Sequence, residues 1–283
     1  MFKTLSCALL VIFGICLAYG YFIFNADAYF HEADFAKTGT FGDSWGALTS
    51  IFSALGFCGV LITLKLQNDA MSKIDSESKK RDESEKMRDF ENSFFNMLNI
   101  LQTIIKDMRV GGDDKKVKKE GRSIFTHYYS RFKNDCLRKG DIEHLEYIEE
   151  NDFSRENEMK KLSKLFDNYF SGRSGNFSHY YRFLYNMFKF ISDAAIDDDS
   201  KKKYANILRA QISNYELLIL IYNGNATHGK NFKKYFDEYA VLDNLPVDKL
   251  ISNVHVLFFD KKAWGNNSAA LSVFEQAELK GLI

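Results

Sequence analysis

Two long apolar runs open the chain, and a mostly polar sequence follows them. Residues 5–24 read LSCALLVIFGICLAYGYFIF, residues 45–64 read WGALTSIFSALGFCGVLITL, and neither run contains a charged residue. Because an α-helix rises about 1.5 Å per residue, runs of this length match the roughly 30 Å hydrocarbon layer of a bilayer. The pattern predicts two N-terminal transmembrane helices within an anchor that comprises residues 1–66. The first run also resembles a signal peptide, but it exceeds the apolar region of one, which favours a membrane helix.

The segment that follows, residues 67–110, changes from charged to amphipathic. Residues 69–89 are strongly charged and contain neither proline nor glycine, as is typical of a solvated helix. Apolar residues then return at steps of three and four, which predicts a helix that docks through one face. They are Met87, Phe90, Phe94, Met97, Leu98, Leu101, Ile104, Ile105 and Met108. We predict one connecting helix, which ends before Gly111-Gly112.

Residues 111–283 are predicted to form a helical cytoplasmic domain. Helices are expected near residues 123–137, 141–150, 156–170, 177–192, 201–223, 231–242 and 268–280. Helices 177–192 and 201–223 are apolar on most sides, so they should lie at the centre of the domain. Residues 254–259, VHVLFF, could be a strand, but one strand cannot form a sheet. The fold class is therefore predicted to be all-α.

Composition narrows the class of protein further. Lys+Arg and Asp+Glu both number 38, so the formal net charge is zero, which excludes a basic protein that coats nucleic acid. Aromatic residues make up 15% of the chain, which excludes a disordered protein, and the single proline favours long helices. The four cysteines have no disulfide or metal-site spacing, which is consistent with a reducing cytosol. We expect neither a metal nor a cofactor.

The charges around the apolar runs predict a topology. The loop between them, residues 25–44, is acidic, whereas Lys3 precedes the first run and several lysine and arginine residues follow the second. The positive-inside rule then places both termini in the cytoplasm and the acidic loop outside.

Small residues recur every fourth position along the second apolar run. They are Gly46, Ser50, Ala54 and Cys58. A small-residue face lets two membrane helices approach closely, and a serine can add an interhelical hydrogen bond. This face either packs on the first membrane helix of the same chain or forms an oligomer contact or pore wall.

Two sets of polar residues lie on the predicted central helices. On helix 201–223 the set comprises Arg209, Gln211, Ser213, Glu216 and Asn223. On helix 177–192 it comprises His179, Arg182 and Asn186. Because buried charges must be paired or hydrogen-bonded, the two sets could face each other as a buried polar cluster. The cluster is either a structural ion-pair network, which we favour, or a ligand site.

An alternative chemistry rests on arginine and histidine at short spacing. HEPN-type ribonucleases use an Arg and a His four to six residues apart to activate a ribose 2′-hydroxyl and protonate the leaving oxygen. Arg122 with His127, and Arg173 with His179, have this spacing and are the candidate catalytic groups of a membrane-tethered ribonuclease. No Walker A, GxGxxG, HExxH or GxSxG motif occurs, which favours a protein that is not an enzyme.

Five segments in this order are similar to one known family. They are FGDSWGALTSIFSALGFCGVLITLKLQ (41–67), FFNMLNILQTII (94–105), GRSIF (121–125), HYYRFLYNMFKFI (179–191) and YANILRAQISNYELLILIYN (204–223). From about residue 39 to residue 245 the chain resembles phage abortive infection proteins, an AbiC-like bacterial family. The resemblance implies a bacterial inner-membrane protein that stops phage spread by disabling or killing the infected cell, but it implies no mechanism. The matching polar and glycine positions are Gly42, Asp43, Gly46, His179, Arg182, Arg209, Gln211, Ser213, Glu216 and Asn223.

These observations favour a membrane effector of abortive infection. The cytoplasmic domain would sense infection, and the membrane helices would then permeabilise the bilayer, which requires no catalytic residue. The expected partners are the lipid bilayer, further copies of the chain and a phage-derived or defence-system protein as trigger, whereas nucleic acid is not expected. The alternatives are the tethered ribonuclease and a non-catalytic sensor or scaffold.

Overall fold

The structure is a computed structural model that describes most of the chain after residue 34. The described residues are 35–110, 119–138, 154–171 and 174–282, together with 13–15, 17–18, 21 and 25. Most of the first predicted membrane helix and all of the predicted helix 141–150 lie outside the described residues. The chain divides into two compact units, Met1–Arg81 and Asp82–Ile283.

A single helix, α1 (Phe35–Asp107), is 73 residues long and contributes residues to both units. No proline interrupts it, and it runs unbroken from the second apolar run into the charged stretch. Among the described residues it is the one helix with the length and composition to cross a membrane, with a mean hydropathy of 1.7 over a window that is 0% buried. The predicted second span is therefore helical, and its described large apolar side chains are exposed.

The C-terminal part of α1 belongs to the second unit and is amphipathic. Phe94 and Leu101 are fully buried, with Phe90, Ile105 and Met108 nearly so. Their spacing of three, four and seven residues places them on one face, as the sequence predicts. The Phe90 ring stacks on Phe190 at 5.0 Å between centroids, and Phe94 meets Tyr204 edge-to-face at 5.2 Å.

The end of α1 leads into a short antiparallel ladder. Strand β1 (Arg109–Val110) pairs with β2 (Lys119–Glu120), and the Gly121 N–H donates to the Met108 carbonyl at 3.0 Å. Gly121 has φ of 56°, a left-handed conformation that glycine adopts without steric cost. The helix ends at Asp107, just before the predicted Gly111-Gly112 stop.

The rest of the described second unit is built mostly from helices, in agreement with the predicted all-α class. In chain order they are α2 (Ser123–Arg138), α3 (Arg155–Phe170), α4 (Ser174–Asp193), α5 (Asp198–Ala210), α6 (Asn214–Asn225), α7 (Lys233–Tyr239) and α8 (Ser268–Leu279). Short 3₁₀ segments are Lys230–Phe232, Val247–Lys249, Asn253–Phe258 and Lys261–Trp264.

Two sequence-based expectations need correction. The predicted helix 201–223 is two helices, α5 and α6, because Ser213 is extended (φ −74°, ψ 162°) and the chain turns there. The stretch predicted as a possible strand, 254–259, is mostly a buried 3₁₀ segment. Its apolar residues are buried on all sides, so they lack the alternation that separates a strand from a helical turn.

Helix α6 lies at the centre of the second unit. All six residues from Leu217 to Tyr222 are at most 2% exposed, and α2 and α3 both pack on the helix. Outside a membrane, a helix that is apolar on every side is stable only when protein surrounds it. The polar residues at its two ends therefore lie at the boundary of a dry core.

Candidate functional site

The N-terminus of α6 carries a buried carboxylate, Glu216, which is 0% exposed. The Tyr180 hydroxyl donates to its Oε2 at 2.6 Å, and the Ser213 backbone N–H donates to the same oxygen at 3.3 Å. The Tyr181 hydroxyl donates to the Glu216 backbone carbonyl at 3.1 Å. Ser213 and Glu216 form a capping box, in which the carboxylate accepts from a backbone N–H at the start of the helix that has no partner within the helix.

Arg122 reaches the same helix start from the turn before α2. Its Nε lies 3.6 Å from Glu216 Oε1, and its guanidinium donates to the Gln211 carbonyl at 2.8 Å. The Gln211 side chain meets Gln102 of α1, with 3.2 Å between the two amides. The turn between α5 and α6 is thus bonded to both α1 and the start of α2. We call Arg122, Tyr180, Gln211, Ser213 and Glu216 the cap cluster.

Burial sets the electrostatics of the cap cluster. Loss of solvation raises the pKa of Glu216, while the Tyr180 hydrogen bond and the Arg122 charge oppose that rise. Burial beside Glu216 also raises the pKa values of the Tyr180 and Tyr181 hydroxyls. The two tyrosines therefore stay protonated and act as donors, so this arrangement holds the helix junction in place.

The other members of the predicted polar cluster lie elsewhere. Arg209 pairs with Asp243, with 2.5 Å between guanidinium and carboxylate. His179, Arg182 and Asn186 are exposed, because α4 buries its opposite face through Phe177, Tyr180 and the aligned apolar residues. The prediction that these three residues belong to a buried cluster is wrong.

Arg182 instead lines a cleft, as does Asn223 at the C-terminal end of α6. The cleft has a volume of about 900 Å³ and lies between the end of α3, one side of α4, the end of α6 and the turn after α6. Its apolar lining includes Phe166, Phe170, Phe177, Tyr181, Tyr185, Ile219 and Phe232. Its polar lining includes Asp167, Arg182, Asn223, Thr227, His228 and Asn231.

Close backbone packing shapes one end of the cleft. A Cβ at Gly229 would lie 1.9 Å from the Asn223 carbonyl oxygen, so this turn fits only a glycine. The Thr227 hydroxyl donates to Asp167 Oδ2 at 2.8 Å and ties the turn to the end of α3. The Asn225 side chain donates to the Met159 carbonyl at 2.9 Å. The turn is thus held against α3 and α6 by its own contacts.

Polar side chains of the cleft, among them the following four, are available to a ligand. In the part of the chain that the structure describes, no side-chain hydrogen bond or ion pair involves Arg182, Asn223, His228 or Asn231. Concave sites of this size with a few convergent polar groups on an apolar floor are where proteins bind small molecules. The cleft is therefore the candidate binding site of the second unit.

One of the two candidate ribonuclease pairs, Arg122 with His127, lies within the described residues. Arg122 contacts Glu216 and Gln211, whereas His127 lies along α2 with its ring 5.5 Å from Tyr128, and no hydrogen bond joins the two. Burial and the nearby charges of Arg131 and Lys119 lower the pKa of His127. Arg173 lies outside the described residues, and His179 is exposed.

Sequence reasoning missed a second buried polar group, around His255. The Ile251 N–H donates to the Tyr222 hydroxyl at 3.0 Å, and a hydrogen bond of 3.1 Å joins that hydroxyl to His255 Nδ1, with its direction set by the imidazole tautomer. His255 Nε2 faces Glu158 Oε1 at 3.8 Å. Sequence spacing gives no sign of this link, since only the fold brings residues 158, 222 and 255 together.

The small-residue face lies on α1. The described side chains of Ser50, Ala54 and Cys58 are exposed, as is Gly46. No group of three or more His, Cys, Asp or Glu residues able to hold a metal ion occurs among the described residues.

Comparison with known proteins matches one stretch, which contains part of the cap cluster and part of the cleft. Residues 172–250 match the family model described as "Putative phage abortive infection protein". This stretch includes Tyr180, Glu216 and the four available polar residues of the cleft. No curated protein and no solved structure matches the chain. Through residues 172–250 the chain is thus similar to phage abortive infection proteins, the AbiC-like family that its sequence resembles.

Proposed function

We propose that this protein is a membrane-anchored effector of abortive infection in the bacterial inner membrane. Residues 111–283 sense infection from the cytoplasm, and the two N-terminal membrane helices permeabilise the bilayer. The trigger is a phage-derived or defence-system protein, and the anchor assembles into a homo-oligomer. The match of residues 172–250 to the phage abortive infection family supports the defence role.

The exposed apolar part of α1 is the observation that carries the membrane role. Between residues 51 and 66 its large apolar side chains are about half or more exposed. They are Ile51, Phe52, Leu55, Phe57, Val60, Leu61, Ile62, Leu64 and Leu66. Burial from water stabilises each such side chain by about 1.5–3 kcal/mol. Residues 45–64 carry no charge, so this part of the helix gains that energy in a bilayer.

The toxic step is assigned to the small-residue face, Gly46, Ser50, Ala54 and Cys58. Small side chains let membrane helices approach closely, so a rearrangement of this face changes how the helices pack in the bilayer. Permeabilisation of this kind needs no catalytic group. The contacts of Arg122 with Glu216 and Gln211 give that arginine a structural role, which favours the effector over the tethered ribonuclease.

The experiment follows membrane potential and RNA integrity together in phage-infected cells. With a voltage-sensitive dye, we expect cells that carry the protein to depolarise before any loss of total RNA. Ser50→Leu and Ala54→Leu should abolish both depolarisation and protection at unchanged expression, because leucine separates closely packed helices. Ser76→Leu, the same change in the charged part of α1, is the matched control and should protect fully.

Two results would overturn the proposal. RNA cleavage with an intact membrane potential would show that the effector is a nuclease and not a membrane permeabiliser. His127→Ala and His179→Ala would then identify which Arg–His pair carries out the cleavage. Full protection by both leucine variants would exclude the small-residue face as the effector surface.

A further inference from the structure

We infer that the cleft lined by Arg182, Asn223, His228 and Asn231 binds a mononucleotide. The inference goes beyond the proposed function, because it concerns a small molecule rather than a protein trigger or a bilayer. Binding is measured on the isolated full-length protein without phage or membrane potential. Its failure is therefore distinguishable from failure of the proposed function.

The size of the cleft suits a ligand of this class. Its volume of about 900 Å³ lies within the range of roughly 300–1,000 Å³ that is usual for small-molecule sites. Three helices and one turn border it, so a ligand would be enclosed on several sides. Gly229 and the Thr227–Asp167 bond hold the turn in place without any ligand, so the cleft is preformed.

Arg182 supplies the group that recognises a phosphate. Its guanidinium is exposed, has no ion-pair partner among the described residues and stands beside the aromatic side of α4. A guanidinium binds phosphate oxygens through two parallel hydrogen bonds, which a point charge does not reproduce. The other charged side chain lining the cleft, Asp167, accepts a hydrogen bond from Thr227. The carboxylate is thereby tied to the turn, whereas Arg182 remains available to an anion.

The two asparagines supply groups that recognise the edge of a base. Each amide offers a donor and an acceptor side by side, the pattern that pairs with the ring nitrogens, amino groups and carbonyls of nucleobases. Asn223 lies in the last turn of α6, and Asn231 lies in the 3₁₀ segment that follows the turn. His228, between them in sequence, adds one ring nitrogen as donor and one as acceptor.

Aromatic rings form the side of the cleft that a planar base would contact. Phe177, Tyr181 and Tyr185 recur every fourth residue of α4, so they share one face of the helix, and Phe232 packs beside Tyr185 in the cleft lining. The Tyr185 and Phe232 ring centroids are 5.9 Å apart. Flat aromatic ligands gain from stacked or edge-to-face contact with such rings. A ligand that has a phosphate, a hydrogen-bonding base edge and a flat ring face is a mononucleotide.

The test is isothermal titration calorimetry on the full-length protein in detergent. The titrants are AMP, GMP, CMP and UMP, with ribose 5-phosphate, inorganic phosphate and the four nucleosides as partial ligands. We expect at least one mononucleotide to bind, and its nucleoside and ribose 5-phosphate to bind at least tenfold more weakly. Arg182→Ala should weaken that mononucleotide by about tenfold to a hundredfold, the effect of losing charged hydrogen bonds.

Lys189→Ala is the matched control, because it removes one positive charge from an exposed position on the same helix outside the cleft. It should bind as the parent does. The inference is overturned if none of the four mononucleotides binds, if inorganic phosphate binds as tightly as the best of them, or if Arg182→Ala and Lys189→Ala bind equally well. Since the Arg182 side chain makes no hydrogen bond or ion pair with the described residues, its replacement should leave the thermal stability of the protein unchanged.

Discussion

At the scale of single residues, Glu216 is the most consequential side chain in the structure. It is fully buried, caps α6, and accepts from Tyr180 while Arg122 lies 3.6 Å away. A buried carboxylate with a raised pKa holds its proton more tightly in the folded state than in the unfolded chain. Its protonation is therefore linked to stability.

The first prediction concerns the pH dependence of that stability. At pH values below 4.5, the ordinary pKa of a glutamate, the contribution of Glu216 to the free energy of unfolding is fully present. That contribution is lost as the pH rises through the raised pKa of the folded state. Glu216→Gln keeps an oxygen acceptor for Tyr180 but cannot ionise. The thermal stability of this variant should therefore gain on that of the parent above pH 4.5.

Melting the full-length protein in detergent between about pH 4 and 8 measures this difference. Glu275→Gln, at an exposed position of α8, is the control and should follow the parent at every pH. A Glu216→Gln variant that loses stability relative to the parent with rising pH would mean that the ionised carboxylate is the stabilising form.

Single residues also show which features of the buried polar groups can be predicted from the sequence. Glu216 and Arg209 are predicted from the sequence as polar residues of a central helix, and both are largely buried. It could not assign their partners, because Tyr180, Arg122 and Asp243 are distant along the chain. Helical spacing alone also placed His179 and Arg182 toward the core, whereas the stronger apolar face of α4 turns them outward. Burial is decided by the larger set of apolar neighbours.

At the scale of elements, α1 changes its surroundings along its length. The same helix exposes its apolar side chains between residues 51 and 66 and buries one face between Phe90 and Met108. Adjacent phenylalanines show the change of face directly, since Phe94 is 0% exposed and Phe95 is 48% exposed. Docking of this end of α1 depends on its buried side chains, such as Phe94.

The second prediction uses this pair of phenylalanines. Phe94→Ala removes a ring packed against Phe90 and Tyr204 and should lower the free energy of unfolding by about 3–5 kcal/mol. Phe95→Ala makes the same change one residue away and should cost less than about 1 kcal/mol. Chemical denaturation of the two variants in detergent compares them. Equal losses would show that α1 does not dock through the Phe94 face.

The predicted element boundaries are close where the apolar pattern changes, and a break is missed where that pattern continues through it. The helix predicted at 156–170 begins at Arg155, after the N-cap Ser154. The break at residues 211–213 was missed, because the apolar pattern continues through Ile212 and Leu217. The Ser213–Glu216 capping box was the available signal, since a serine followed three residues later by a glutamate marks a helix start.

At the scale of the whole molecule, the distribution of charge predicts how the chain lies in a membrane. The acidic loop, residues 25–44, and the basic stretch after residue 64 predict that the loop faces outward and the termini face the cytoplasm. In the structure α1 already begins at Phe35, so part of that loop is helical. Length and hydropathy do not reveal orientation; charge does, and it can be tested with single cysteines.

The last prediction is therefore one of labelling from the two sides of the membrane. Cys7, Cys16 and Cys58 lie in the predicted spans and Cys136 is buried, so the parent should react little with a membrane-impermeant maleimide. Thr38→Cys, in the loop, should be labelled in intact spheroplasts, whereas Ser76→Cys, after the second span, should be labelled only in inverted vesicles. Labelling of Ser76→Cys from outside would reverse the orientation, place the cleft and the cap cluster outside the cytoplasm, and remove the basis for cytoplasmic sensing.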